Sequence, residues 1–174
     1  AIGFVVVYFF YKNFTPTTQV SFGLTFSSQY ARDLGFDPKQ AYLDILADLK
    51  PKKIRLMAYW EDMESVAGRF DFQSMDELLI EAQKQNIEVV LVVGRKSPRW
   101  PECHQPIWVS NLTRQQQDEA VLTMVKTAIA HFKQFPAIKT WQIENEPFFA
   151  FGPGCGKIAS QLVKQEIVAV KAID

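Results

Sequence analysis

The sequence has no excess of positive charge and no cluster of basic residues. Its 19 Lys and Arg residues balance 19 Asp and Glu residues, which gives a formal net charge of zero. A nucleic-acid partner requires a basic footprint on the protein, and this balance of charges does not supply one. The sequence therefore predicts that the protein binds no nucleic acid.

The common motifs for nucleotides and metal ions are also missing. No Gly-x-Gly-x-x-Gly follows the first predicted strand, and the sequence contains no phosphate-binding loop. Histidine and cysteine are scarce, with two of each. The set formed by Glu102, Cys103, His104 and Cys155 matches no standard zinc spacing. We therefore expect no metal ion and no organic cofactor.

Long apolar runs are limited to the first ten residues. Residues 2–10 carry no charge, but a bilayer span needs about 20 apolar residues. We interpret residues 1–19 as the remnant of a signal peptide or signal anchor followed by a Thr- and Pro-containing spacer, with a buried first strand as the alternative. Because no small-residue cleavage signature precedes the spacer, an anchor that attaches the protein to a membrane is favoured.

The rest of the sequence has the composition of one globular domain, with 48% hydrophobic and 22% charged residues. We assign this domain to residues 20–174. Apolar runs predict four strands, at residues 20–26, 53–58, 87–93 and 138–143. Four predicted helices separate or follow them: one from the N-cap Asp37 to about 50, one opened by a capping box at 74–77, one opened by a capping box at 113–116 and running to about 135, and one from 158.

This alternation of strands and helices predicts a parallel sheet, because strands joined by helices of ten or more residues form βα units. The loops before the strands are short, whereas the loops after strands two, three and four are long and carry Trp, Glu, Arg and His. The asymmetry favours a (β/α)8 TIM barrel, whose sites lie at the carboxyl ends of the strands, over a doubly wound nucleotide-binding sheet.

A full barrel takes about 250 residues. The sequence therefore predicts only the first four βα units of a TIM barrel, without its C-terminal half. Since four parallel strands leave two unpaired edges, we expect this piece to be poorly soluble or unstable alone.

Three signatures occur in order after the predicted strands. They are Trp60…Glu64…Gly68-Arg69-Phe70-Asp71-Phe72…Asp76, then Pro98-Arg99-Trp100, then Trp141-Gln142-x-x-Asn145-Glu146-Pro147. Together they resemble the amino-terminal half of clan A glycoside hydrolases, the cellulase-like and β-galactosidase-like TIM barrels. The similarity covers residues 20–174, and its most specific part is Asn-Glu-Pro at the end of the fourth strand.

The resemblance implies a role for each matching residue. Glu146 would be the general acid/base, Asn145 would bind the sugar 2-hydroxyl, and Arg55 would orient the nucleophile. The nucleophile itself is a glutamate on the seventh strand, which this chain lacks. The implied function is that of a retaining glycoside hydrolase acting on a β-linked sugar or oligosaccharide, inactive as this piece alone. The alternative is a non-catalytic carbohydrate-binding or surface protein on the same barrel.

Tryptophans are candidates for the walls of such a site. An acid that keeps its proton near neutral pH needs an apolar surrounding that raises its pKa, and Trp100 and Trp141 are candidates for it. Trp60, Trp100 and Trp141 are also candidate substrate-binding residues. Each of the loop tryptophans, Trp60, Trp100 and Trp108, has packing in the core as its alternative role.

Glu144 needs a separate role. On a strand, Glu144 and Glu146 would point the same way, about 6.6 Å apart, and could not flank a glycosidic bond from opposite sides. Alternate strands of a barrel contribute to one interior layer. We therefore predict that Glu144 forms a buried ion pair with Arg55 beneath the site.

Cys103 and Cys155 lie in the loops after strands three and four, on the same face of the predicted sheet. This position allows their Cα atoms to approach the roughly 5.5 Å that a disulfide needs, with two free thiols as the alternative. A disulfide and an apolar amino-terminal segment both indicate an extracytoplasmic location, secreted or membrane-anchored.

Overall fold

A computed structural model describes residues 22–150 and 153–174. The apolar segment and spacer predicted at 1–19 lie outside these residues. The elements in chain order are β1 (Gly23–Thr25), α1 (Ser28–Asp33), α2 (Pro38–Leu49), β2 (Lys53–Tyr59), α3 (Trp60–Met63), α4 (Gln73–Lys84), β3 (Glu88–Gly94), a 3-10 helix (Ile107–Asn111), α5 (Arg114–Phe132), β4 (Ile138–Ile143) and α6 (Ser160–Lys171).

The four strands form one parallel sheet in the order β1-β2-β3-β4. The pairs Thr25 with Arg55, Leu56 with Leu91, and Leu91 with Trp141 set the register. Every pair of neighbouring strands is joined through helical segments, as the alternating pattern predicted. The predicted parallel α/β arrangement of four strands is therefore confirmed.

Local capping residues start two of the predicted helices. The Asp37 side chain accepts a hydrogen bond from the backbone N–H of Gln40, and Pro38 occupies the first position of α2. Thr113 and Gln116 form the predicted reciprocal capping box of α5. These signals were readable because a cap satisfies backbone N–H groups within one turn of the same helix.

The start of α4 was predicted wrongly. Ser74 is inside the helix rather than at its N-cap, since the helix begins at Gln73. The N-cap residue is Phe72, which makes no side-chain cap, and the Asp71 side chain before it accepts from the Gln73 backbone N–H at 2.9 Å.

The first strand and the third predicted helix are shorter than expected, and three short helices were not predicted. Ser27, interpreted as the end of a strand, is the N-cap of α1, and its hydroxyl accepts from the Tyr30 backbone N–H. The helix expected to reach 135 ends at Phe132. The other two short helices that were not predicted are α3 and the 3-10 helix, and they lie inside the segments interpreted as long loops after strands two and three.

The two faces of the sheet differ in what covers them. Alternate residues Ile54, Leu56 and Ala58 of β2 join the main core with the helices. Met57, Tyr59 and Val92 form a separate small cluster on the opposite face. Arg55, two residues from Met57, lies on this second face. Among the residues that the structure describes, no helix has the length and apolar character needed to cross a membrane.

Candidate active site at the carboxyl ends of the strands

The segment after β4 leaves the strand through two left-handed residues. Glu144 has φ 61° and Glu146 has φ 47°. For residues other than glycine such conformations cost on the order of 1–3 kcal/mol each, so surrounding contacts must hold them. The contacts that do so come from the segment after β3.

The Glu144 side chain binds to the end of β3. Its carboxylate is 2% exposed and accepts hydrogen bonds from the backbone N–H groups of Arg95, at 2.9 Å, and Lys96, at 2.5 Å. Gly94 makes this approach feasible: a Cβ at that position would lie 2.6 Å from the Glu144 carboxyl carbon. The carboxylate therefore joins the ends of two neighbouring strands.

A second buried carboxyl lies beside the first. Glu166 of α6 is fully buried, and its carboxyl faces that of Glu144. Burial, together with the neighbouring Glu144 charge, raises the pKa of Glu166 to about 9. Burial also raises the pKa of Glu144 to about 6, while the N–H groups of Arg95 and Lys96 oppose the increase. Glu166 is therefore a neutral acid at pH 7.

One guanidinium lies beside this pair of carboxyls. Arg95 is 1% exposed, and it donates to Asp118 of α5 at 3.1 Å. Its charge lowers the pKa of both glutamates, though less than burial raises them. The predicted ion pair partner of Glu144, Arg55, is not part of this group.

The prediction of an Arg55–Glu144 ion pair is wrong. The Arg55 guanidinium donates to the Thr25 hydroxyl at 3.2 Å and to the Gln142 side-chain oxygen at 3.4 Å. The prediction assumed that regular strand geometry continues through Glu144, so that strands two and four contribute Arg55 and Glu144 to one interior layer. Because the backbone at Glu144 is left-handed, strand alternation ends before it, and its side chain turns towards Gly94 and Glu166 instead.

Asn145 and Glu146 have different surroundings. Asn145 is partly buried; its amide donates to Glu102 at 2.8 Å, and its side-chain oxygen accepts from Gln142. Glu146 is exposed and lines an open cleft of about 470 Å³ with Pro147, Phe148 and Phe149. The segment thus presents one carboxyl to the outside and, next to it, an amide fixed by the protein.

The tryptophans lie in three different environments. Trp60 is fully buried in the main core, and its indole N–H donates to Glu64 at 2.7 Å. Trp141 packs against the same core and donates to Asp174. Trp60 therefore has no exposed face for stacking on a sugar, which contradicts its predicted contact with substrate. Trp141 is only partly buried, and its predicted roles in the site stay predictions. Trp100, 65% exposed after β3, keeps an accessible ring.

The predicted disulfide between Cys103 and Cys155 is confirmed, with the Cα atoms 5.4 Å apart. It joins the segments that follow β3 and β4, because both lie at the same end of the parallel sheet. His104, beside it, is buried and contacts Glu61 and the Arg99 carbonyl oxygen. Among the described residues, no group of three or more His, Cys, Asp or Glu side chains is arranged to hold a metal ion.

Sequence reasoning missed Arg95, Lys96 and Glu166. A buried strand followed directly by two basic residues was the available signal for the first two. No local signal marked Glu166, which sits in an ordinary amphipathic helix.

A scan against protein-family models and a search of curated protein sequences find no match. Solved structures do resemble the chain. A GH5_18 structure from Streptomyces cattleya in complex with GlcNAc is 12% identical, with a TM-score of 0.62 over 90% of this chain and 42% of its own. An endo-β-1,4-xylanase of glycoside hydrolase family 10 from Gloeophyllum trabeum is 15% identical, with a TM-score of 0.64 over 88% of this chain and 48% of its own.

An exo-β-1,4-mannosidase from Opitutaceae bacterium strain TAV5 is 16% identical, with a TM-score of 0.65 over 87% of this chain and 30% of its own. The chain thus spans less than half the length of each of these structures. At this level of identity the likeness concerns the fold. The chain has a clan A glycoside hydrolase-like fold, matched over part of the length of those enzymes.

Proposed function

We propose that this chain is part of the (β/α)8 barrel of a retaining glycoside hydrolase that acts on a β-linked sugar. The observation that carries the proposal is Glu146, an exposed carboxyl directly after the fourth parallel strand, next to the fixed amide of Asn145. Carboxyl ends of barrel strands are where the chemistry of this fold takes place.

In the proposed reaction Glu146 protonates the leaving glycosidic oxygen, and later removes a proton from the attacking water. A second carboxylate about 5 to 5.5 Å away attacks the anomeric carbon. We assign that nucleophile to a later strand of the barrel, outside this chain. Asn145 is proposed to hold the sugar 2-hydroxyl in a contact that strengthens in the transition state.

A carbohydrate substrate is supported by the similar structures. Two GH5_18 structures from Streptomyces cattleya contain GlcNAc and Manβ1-4GlcNAc. Arg55 and Trp100 remain proposed contributors to the site, since Arg55 lies on the sheet face away from the helices and Trp100 is exposed after β3. The disulfide supports an extracytoplasmic location for the protein, with membrane attachment proposed through residues 2–10.

The test is a kinetic comparison of the full-length protein, which supplies the nucleophile missing from this chain, with its Glu146→Gln variant on aryl β-glycosides whose leaving groups differ in basicity. The loss of kcat/KM should reach roughly 10²- to 10⁴-fold for a poor leaving group and be smaller for a good one, because a weakly basic oxygen needs less proton donation. Glu119→Gln, an exposed change on α5, is the matched control and should leave rates unaltered.

Equal rates for Glu146→Gln and the unaltered protein would remove Glu146 from the mechanism. Binding of the sugar without any turnover would instead support the carbohydrate-binding alternative.

A further inference from the structure

We propose that Lys96 is a positioning residue for the acid/base Glu146, holding the backbone of that residue from beneath the site. The inference rests on the proposed function. The observation behind it is that the buried ammonium group of Lys96 donates hydrogen bonds to main-chain carbonyl oxygens of the segment that contains Glu146.

The Lys96 side chain is 1% exposed, although it ends in a charge. Its ammonium donates to the carbonyl oxygen of Glu146 at 3.1 Å and to that of Phe149 at 2.7 Å. Burying an ammonium group is unfavourable unless polar partners replace its water. Here the partners are two carbonyl oxygens of the segment that carries Glu146.

The backbone of Lys96 binds the same segment. Its N–H donates to the Glu144 carboxylate, and its carbonyl oxygen accepts from the Asn145 N–H at 2.8 Å. Lys96 therefore contacts four of the six residues from 144 to 149.

These contacts explain how the left-handed backbone is maintained. Glu144 and Glu146 both have positive φ, a conformation that persists only when surrounding contacts over-determine it. A hydrogen bond from a charged donor is among the stronger ones available. The Lys96 ammonium acts on the carbonyl of Glu146 itself, so its removal should let the peptide rotate and carry the Glu146 side chain away from its position.

A positioning role predicts a particular kinetic result. Lys96 is buried and binds the main chain beneath Glu146, so loss of its ammonium should lower kcat while KM stays nearly constant. Misplacement of an acid by about 1 Å can cost about 10²-fold in rate. The loss should be largest for poor leaving groups, because those depend most on proton donation.

The experiment, carried out in the full-length protein, compares Lys96→Met, which keeps the length and apolar stem of the side chain, with Lys157→Met, an exposed control in the following loop. Hydrogen exchange is measured for the amides of Asn145 and Phe149 in each protein, together with kcat and KM on the aryl glycoside series. We expect at least 10-fold faster exchange and a 10- to 100-fold lower kcat for Lys96→Met, no change for the control, and partial recovery in Lys96→Arg.

Unchanged exchange at these amides in a folded Lys96→Met variant would overturn the proposal, as would a lower kcat that is equal for all leaving groups. If Lys96→Met does not fold, Lys96→Gln, which is polar but shorter and lacks the ammonium charge, takes its place with the same two readouts and the same expected changes. A failure of the proposed function can be distinguished from this: the unaltered full-length protein would then turn over no glycoside, and the exchange measurement alone would decide whether Lys96 holds the segment.

Discussion

The buried acid Glu166 makes the stability of this protein depend on pH in a way that one substitution should remove. In the native state its pKa is raised to about 9 from an ordinary value of 4.5. The charged and titratable groups that face it are Glu144, Arg95 and Asp118. We expect Glu166→Gln to keep the shape and neutrality of the side chain while removing its proton equilibrium.

The direction in which stability changes with pH follows from whether the native or the unfolded protein binds more protons. Between pH 4.5 and about 9 the native protein keeps the Glu166 proton, whereas the unfolded chain has lost it. Stability therefore falls as pH rises through this window, by about 1.4 kcal/mol per pH unit. From pH 5 to pH 7 the expected loss from this group is roughly 3 kcal/mol.

The assay is urea unfolding of the unaltered protein and the Glu166→Gln variant at pH 5, 6, 7 and 8. The variant should lose most of this pH dependence and be more stable than the unaltered protein at pH 7 by roughly 3 kcal/mol. Glu119→Gln on α5 removes an exposed carboxyl and serves as the control for the substitution itself. Parallel pH profiles for Glu166→Gln and the unaltered protein would refute the assignment of Glu166 as a neutral buried acid.

Two further changes test the ends of β3 and β4. Replacing Cys103 and Cys155 by serine should lower the free energy of unfolding by roughly 4 kcal/mol, since the bridge closes a loop with a sequence separation of 52; equal denaturation midpoints with and without the bridge would contradict this. Gly94→Ala should lower the free energy of unfolding by roughly 2–3 kcal/mol, because φ there is 149° and the new Cβ would meet the Glu144 carboxyl. An unchanged thermal midpoint would contradict this and show that the ends of β3 and β4 can separate at little cost.

Elements with local signals were predicted well. The fourth strand has the predicted bounds of 138–143, and the capping box at Thr113 starts α5 as expected. A cap or an apolar run acts within a few residues, so the sequence carries all the information needed. Helix α1 was missed for a related reason: Ser27 fits the end of a strand as well as it fits an N-cap, and the pattern around it does not separate the two.

Side-chain partners were predicted less well. Trp60 lies in a segment interpreted as a loop, yet it is fully buried, because that segment contains a short helix that packs on the sheet. The expected pairing of Arg55 with Glu144 assumed regular strand geometry beyond residue 143. The left-handed backbone at Glu144 turns its carboxylate away from Arg55 and towards Gly94 and Glu166.

The sequence by itself determined the parallel order of four strands and the position of Asn145 and Glu146 at their carboxyl ends. Strand and helix periodicity are local, and parallel connections leave little choice of topology. Only the tertiary structure decided what holds that segment. Lys96 meets Glu144 from 48 positions away and Glu166 joins them from a helix later in the chain, and such contacts depend on backbone angles and packing that no local pattern encodes.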